Sequence, residues 1–389
     1  MAISIASSFG NGALAPLQGP ILGEFGLSFA SLGVLTSSFA IARVFMDLPG
    51  GDIADRIQPR TIFYAGGTIA VLGVLLTALA PSYPILIAGR VLNGIGSTLG
   101  SAAATAYVAR RAAIEERGRV LGAMSAVVQM GAFLSPAVVG LFATMFGWRW
   151  GFGAIVIPAV MSLALITFVR PERRAKVALA PGASQRRSSP RGWFYSPWPL
   201  PFVNITTVLI AIAIFGFKST LMPLYGGVTM QLDPGTVGLV LTISTGVRFP
   251  VSIVAGMVSD RFGRRAVFVP SAVLMAVVVI MMNLSDHIAA YTTVAILYAL
   301  SGAASPIVHT MVADCAPRER LGAAMGTNAF LRDIGIAGVP LILGVIIDAS
   351  GFLAASIMLA CSAVLAAILG WRLGDTSPRS AARSAQSPS

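Results

Sequence analysis

The sequence predicts an all-α membrane protein of twelve transmembrane helices, arranged as two pseudo-symmetric six-helix bundles. Three observations lead there. First, the chain has 389 residues, 56% hydrophobic and only 11% charged, with a mean hydropathy of +0.82. A soluble domain carries about 25% charged residues, so this chain has too little polar surface to cover itself in water. Second, its apolar residues fall into runs of bilayer length. Third, a short charged phrase is written twice between such runs, "GDIADRIQPR" from Gly51 to Arg60 and "GMVSDRFGRR" from Gly256 to Arg265.

A helix needs about 20 apolar residues to cross the hydrocarbon core. Runs that meet this stand near 1–24, 29–50, 61–80, 84–108, 119–143 and 149–169. Gly and Pro inside them are no objection, because neighbouring membrane helices re-satisfy freed backbone groups. The first run lacks a basic leader and reads as a membrane helix rather than a cleaved signal. A basic, Pro/Ser-rich stretch follows, "RPERRAKVALAPGASQRRSSPRGW", and then runs near 200–226, 234–256, 266–285, 289–313, 322–347 and 351–371. The predicted organisation is an N-terminal half (1–169), a cytoplasmic linker (170–199), a C-terminal half (200–372) and a disordered polar tail (373–389).

The basic residues orient this chain. With both termini inside, the loops after even-numbered helices, the linker and the tail hold most of the 27 Lys and Arg. They include Arg56, Arg60, Arg110, Arg111, Arg117, Arg119, Arg261, Arg318, Arg320 and Arg372, whereas only Arg149 falls in an outside loop. Positive charge is retained on the cytoplasmic side, so the expected location is a plasma membrane, or the inner membrane of a bacterium, with both termini cytoplasmic. The same distribution argues against nucleic acid as a partner despite the formal charge of +12, because no basic face of a soluble domain exists to carry it. Cys315 and Cys361 stand in no metal or thiol motif. There is no G-x-x-x-x-G-K-[ST] and no H-E-x-x-H, and the chain has only two histidines, so neither direct ATP use nor a membrane enzyme is expected. No cofactor is implied, and a monomer is expected.

The two charged phrases belong to a longer repeat. Asp55 falls on Asp260, Gly122 on Gly326, Pro136 on Pro340, Gly147 on Gly351 and Pro16 on Pro223, at offsets of 204 to 207. A duplicated unit with an even number of spans gives parallel repeats about an axis along the membrane normal, and transporters place the solute site between such halves.

With these residues in view, the chain resembles the major facilitator superfamily over essentially its whole length. The family's loop motif G-x-x-x-D-R/K-x-G-R-R/K is matched at Gly256, Asp260, Arg261, Gly263, Arg264 and Arg265. The first copy keeps Gly51, Asp55, Arg56 and Arg60, with Gln58 and Pro59 in place of Gly-Arg. A helix-4 motif, R-x-x-x-G-x-G, stands as "RVLNGIG" from Arg90 to Gly96. The helix-5 antiporter motif is broken, with Ser135 where Gly is expected before Pro136. The resemblance implies a gating role for both charged phrases and a solute cavity lined by helices 1, 4, 7 and 10. It also implies that helix 2 packs near helix 11 and helix 5 near helix 8.

Charges inside the spans sharpen the expectation, since each costs at least about 2.5–3.5 kcal/mol to insert. Arg43, Arg90, Lys218, Arg248 and Arg332 are basic, whereas only Asp47 and Asp333 are acidic well inside a span. On the family's map Arg43 and Asp47 face Arg332 and Asp333. A crossed network, Arg43 with Asp333 and Asp47 with Arg332, serves either as a structural bridge or, with His309, in proton coupling. Arg248 has no acid at its depth on the helix expected to face it, and an organic anion would satisfy its guanidinium bidentately. Lys218, its repeat partner Asn11, Gln18 and Arg90 on the cavity helices complete the candidate solute site, although Arg90 is also a structural position of the helix-4 motif. The expected function is secondary transport of a small organic solute, an anion with protons in the leading reading. Efflux of drugs or metabolites by proton antiport is the alternative.

Overall fold

The computed structural model describes residues 12–111, 117–166, 198–317 and 320–376. Asn11, most of the linker and the end of the tail lie outside them, as do the side chains of Asp47, Asp55 and Arg56 and the surroundings of Gly51. The described chain is helical almost throughout. Its helices are α1 (Gln18–Phe25), α2 (Phe29–Arg56), α3 (Pro59–Ala78), α4 (Tyr83–Arg111), α5 (Arg117–Phe146) and α6 (Trp148–Ile166). In the second repeat they are α7 (Leu200–Thr229), α8 (Pro234–Phe262), α9 (Arg264–Met281) and α10 (Ile288–Cys315). The last stretch, Leu321–Leu373, runs for 53 residues. A straight helix of that length would rise about 80 Å, far more than a bilayer core of about 30 Å. Gly351, at φ 79° and ψ 178°, divides it into α11 (321–350) and α12 (352–373). Gly147, its repeat equivalent, makes the same one-residue joint between α5 and α6 at φ 90°.

The chain packs as two compact units whose boundaries do not follow the repeat. The first comprises Met1–Arg173, Lys218–Thr242 and Ala337–Ala349. The second comprises Arg174–Phe217, Ile243–Ile336 and Ser350–Ser389.

Within the first unit α3 and α4 cross backbone against backbone. A Cβ on Gly96 would stand 2.4 Å from the Ala70 nitrogen, and one on Gly73 would stand 2.4 Å from the Asn93 nitrogen. Lipid tails are as apolar as leucine, so membrane helices associate through such close small-residue contacts rather than by escaping water. Beside the crossing, Ile62 and Phe63 of α3 bury against Leu99, Ala103 and Ala104 of α4.

Within the second unit the complete copy of the charged phrase stitches four segments together. The Arg264 guanidinium bonds Asp260 and Ser259 on α8 and, at 3.0 Å, Asp314 at the end of α10. The Asp375 carboxylate, just past α12, accepts the Arg264 backbone N–H at 2.9 Å, at the start of α9. Gly263 joins α8 to α9 at φ 97°, and a Cβ there would strike Asp375. Arg265 stacks its guanidinium 3.3 Å from the centre of the Trp371 ring. The described partners of this phrase thus lie inside the second repeat or just past its last helix.

Candidate functional site

Two prolines make the helices expected to line a solute site irregular. Pro223 in α7 removes the N–H that an α-helix would offer to the Ser219 carbonyl, and α7 passes through π-helical turns at Phe217–Leu221 and Tyr225–Thr229. Gln18 of α1 donates its side-chain amide to that Ser219 carbonyl at 2.7 Å. Gln18 is fully buried, and its Oε1 has no hydrogen-bond partner among the described residues. Pro306 likewise removes the N–H that would close on Gly302, and α10 breaks into Ile288–Ser301 and Ala304–Cys315. π-Turns and broken helices both recur at binding sites in membrane proteins.

Arg248 lies at the break in α10, within the second unit. A Cβ on Gly302 would stand 2.8 Å from the Arg248 Nε, so the guanidinium stem occupies the space that glycine leaves. The Arg248 Nη1 is 3.5 Å from the Tyr298 hydroxyl, which donates to the Ile214 carbonyl at 3.1 Å. The Tyr298 ring packs 5.0 Å from that of Phe217, where α7 enters its first π-turn. Arg248 is partly exposed and forms no ion pair among the described residues. A guanidinium with one weak hydroxyl contact and no carboxylate keeps most of its five donors for a ligand.

The other predicted residues distribute as follows. Lys218 sits half-buried in the first π-turn of α7. Arg90 is 4% exposed and lies 4.7 Å from the centre of the Phe39 ring. The glycines of its motif pack helices, Gly94 against the Phe39 carbonyl of α2 and Gly96 against α3, which favours the structural reading of that motif. Arg332 pairs locally among the described residues, and the side chain of Asp47, its expected partner, lies outside them. Its guanidinium takes Asp333, its neighbour on the same helix, at 2.8–2.9 Å and approaches His309 Nε2 at 3.4 Å. Arg43 lies over Phe39 and forms no ion pair among the described residues.

One polar cluster was not anticipated. Asn328 of α11, 1% exposed, donates to Asn204 Oδ1 at 2.9 Å and to the Thr207 hydroxyl at 2.8 Å, both on α7. A search for charges inside spans passes over amides, and this is why it went unnoticed. Among the described residues no group of His, Cys, Asp and Glu could hold a metal ion, and both cysteines are free.

Comparison with known proteins agrees with this architecture. The model of the Major Facilitator Superfamily matches residues 1–234 and 207–389, which together span the chain. The fold is that of a D-xylose-proton symporter, with a TM-score of 0.72 at 18% identity over 97% of each chain. It is also that of a bacterial homolog to the human lysosomal transporter Spinster, crystallised inward-facing and unoccupied (TM-score 0.73, 16% identity, 95% of this chain and 93% of that one). The glucose transporter GlcP of Staphylococcus epidermidis is 23% identical over 367 residues, 83% of this chain and 80% of the relative. The human facilitated glucose transporter member 12 of solute carrier family 2 is 29% identical over 142 residues. The MFS antiporter QDR3 of Candida albicans is 26% identical over 174. The matches to these last two span only 23% and 25% of their lengths. By its full-length family match and its helical architecture, the chain belongs to the Major Facilitator Superfamily, whose members are multi-pass membrane transporters of small solutes and not enzymes.

Proposed function

We propose that the protein carries a small organic anion together with protons by alternating access between its two repeats, with Arg248 as the anion anchor. The observation that carries this reading is the guanidinium of Arg248, unpaired among the described residues and seated at the break of α10. Burying such a charge without a partner is costly, and a carboxylate or phosphate would satisfy it through two parallel hydrogen bonds. Lys218 in the α7 π-turn supplies a second positive charge. His309, Arg332 and Asp333 form the proton-handling group, an imidazole within reach of a guanidinium that holds a carboxylate. The distribution of Lys and Arg supports an orientation with both termini on the cytoplasmic side of a plasma membrane.

The test is a thermal-shift series on purified protein with carboxylates, phosphorylated metabolites, neutral sugars and lipophilic cations. A ligand of the folded form raises apparent stability by about 2.7 kcal/mol at a hundredfold excess over Kd. Carboxylates should stabilise the wild type, and Arg248→Gln should abolish that shift while leaving the melting temperature of the unliganded protein in place. Equal stabilisation of wild type and Arg248→Gln would rule out the anchor. A second reading, a polyhydroxylated neutral solute, is favoured by the open Gln18 Oε1 and by the sugar transporters among the relatives. Stabilisation by sugars alone would select it, and stabilisation by lipophilic cations alone would select drug efflux.

A further inference from the structure

Two seams in the first unit join helices of different repeats, and they are built alike. α2 meets α11 so closely that a Cβ on Gly33 would stand 2.3 Å from the Pro340 carbonyl oxygen, and one on Gly344 would stand 2.2 Å from that of Phe29. α8 meets α5 in the same way, since a Cβ on Gly238 would stand 2.1 Å from the Pro136 oxygen and one on Gly140 would stand 2.3 Å from that of Pro234. Gly33 and Gly238, Gly344 and Gly140, Pro340 and Pro136, and Phe29 and Pro234 are repeat equivalents. All of these contacts lie toward the helix ends away from the Arg-rich loops.

The two seams end differently. Asp348, one turn past Gly344, accepts the N–H groups of Phe29 at 2.9 Å and Ala30 at 2.7 Å, while the Ser28 hydroxyl accepts that of Ser31 at 3.1 Å. The first free donors of α2 are therefore satisfied largely from another helix, by a carboxylate at the positive end of its dipole. Thr144, the repeat equivalent of Asp348, accepts the Gly235 N–H at 2.8 Å and donates to Asp233, which caps Thr236 at 3.0 Å. Pro234 stands where Phe29 stands in the other seam and has no N–H to satisfy, so a neutral hydroxyl completes α8. Burial would raise the Asp233 carboxyl, but hydrogen bonds from Thr236, Thr144 and Gly235 hold it below the ordinary carboxylate range. This seam therefore stays latched throughout the neutral range.

We infer that Asp348 is the latch of the α2–α11 seam, a positioning residue whose carboxylate keeps that end of the first unit closed. At the α5–α8 seam the group that reaches the helix start from the other repeat is the Thr144 hydroxyl, and the carboxylate, Asp233, belongs to the start of α8 itself. The consequence for transport rests on the alternating-access reading above. The test itself uses no solute, so either can fail without the other.

The experiment is hydrogen exchange on the full chain in lipid nanodiscs. Asp348→Asn should raise exchange about tenfold at residues 29–33. It should also raise exchange where α1 meets α7 in the same unit, at Gly19 and Gly227, whose backbones approach within ordinary contact of an added Cβ. Thr144→Val should leave residues 29–33 unchanged. The double variant Asp348→Thr with Phe29→Pro brings in the hydroxyl and the proline of the other seam, with Ser28 kept in the place of Asp233 as the cap of Ser31, and should return exchange to the wild-type rate. Acceleration confined to residues 29–31 would mean a frayed helix end and no latch, and failure of the double variant to recover would equally overturn the inference. Should Asp348→Asn not insert, the double variant alone decides, since it must be as protected as wild type.

Discussion

α4 and α10 occupy the same place in the two repeats and are built to opposite ends. α4 runs unbroken from Tyr83 to Arg111, and its glycines face other backbones, Gly89 and Gly96 on α3 and Gly94 on α2. α10 breaks after Ser301, and its glycine at the break faces a side chain, that of Arg248. The local cause is small. Pro306 has Ala102 as its repeat counterpart, so one copy lost a backbone donor and the other kept it. A duplicated unit can thus keep close backbone packing in one copy while the other breaks at a proline.

Three substitutions test that contrast, beginning with the largest expected effect. Gly96→Val would place its Cβ 2.4 Å from the Ala70 nitrogen, where only backbone could yield. Destabilisation of about 3 kcal/mol or more is expected, seen as loss of the monodisperse protein or a sharply lowered Tm. An unchanged Tm would show that α3 and α4 separate at no cost. Gly302→Ala meets the flexible Arg248 side chain instead. Stability should move by no more than about 1 kcal/mol, while displacement of the guanidinium weakens carboxylate binding about tenfold, which corresponds to about 1.4 kcal/mol. If binding survived and stability collapsed, Gly302 would be scaffold like Gly96. Pro306→Ala gives α10 back its donor. The expected effect is the smallest, a rise in stability of up to about 1 kcal/mol from one regained hydrogen bond with a two- to threefold loss of carboxylate affinity, measurable by titration calorimetry.

Much of the fold was legible because it follows from composition and period. Apolar runs of bilayer length, arginines on alternate loops and the doubled phrase are one-dimensional signals. Arg248 was legible for the same reason, since a charge in an apolar run needs no structure to be noticed. Pro223 and Pro306 were visible, but not what the chain would do at them, because π-turns and breaks depend on which neighbour takes the freed carbonyl; at Ser219 the neighbour is Gln18. The bond between Arg332 and the adjacent Asp333 is one that assigning partners from helix positions alone passes over. The Asp348 cap lies beyond sequence reasoning altogether, as its partners are 318 and 319 positions away. The asymmetry with Thr144 becomes intelligible only once Pro234 is seen opposite Phe29.

The bond between Asp375 and the start of α9 has a practical side. The chain beyond α12 is not a free handle. An affinity tag, a fluorescent reporter or a protease site placed directly after Leu373 would remove the cap from α9 and unseat the Arg264 cluster three helices away in sequence. The same insertion a few residues later would leave both intact. Asp375 therefore marks how far past α12 the chain must be left undisturbed by anyone who wishes to attach something to it.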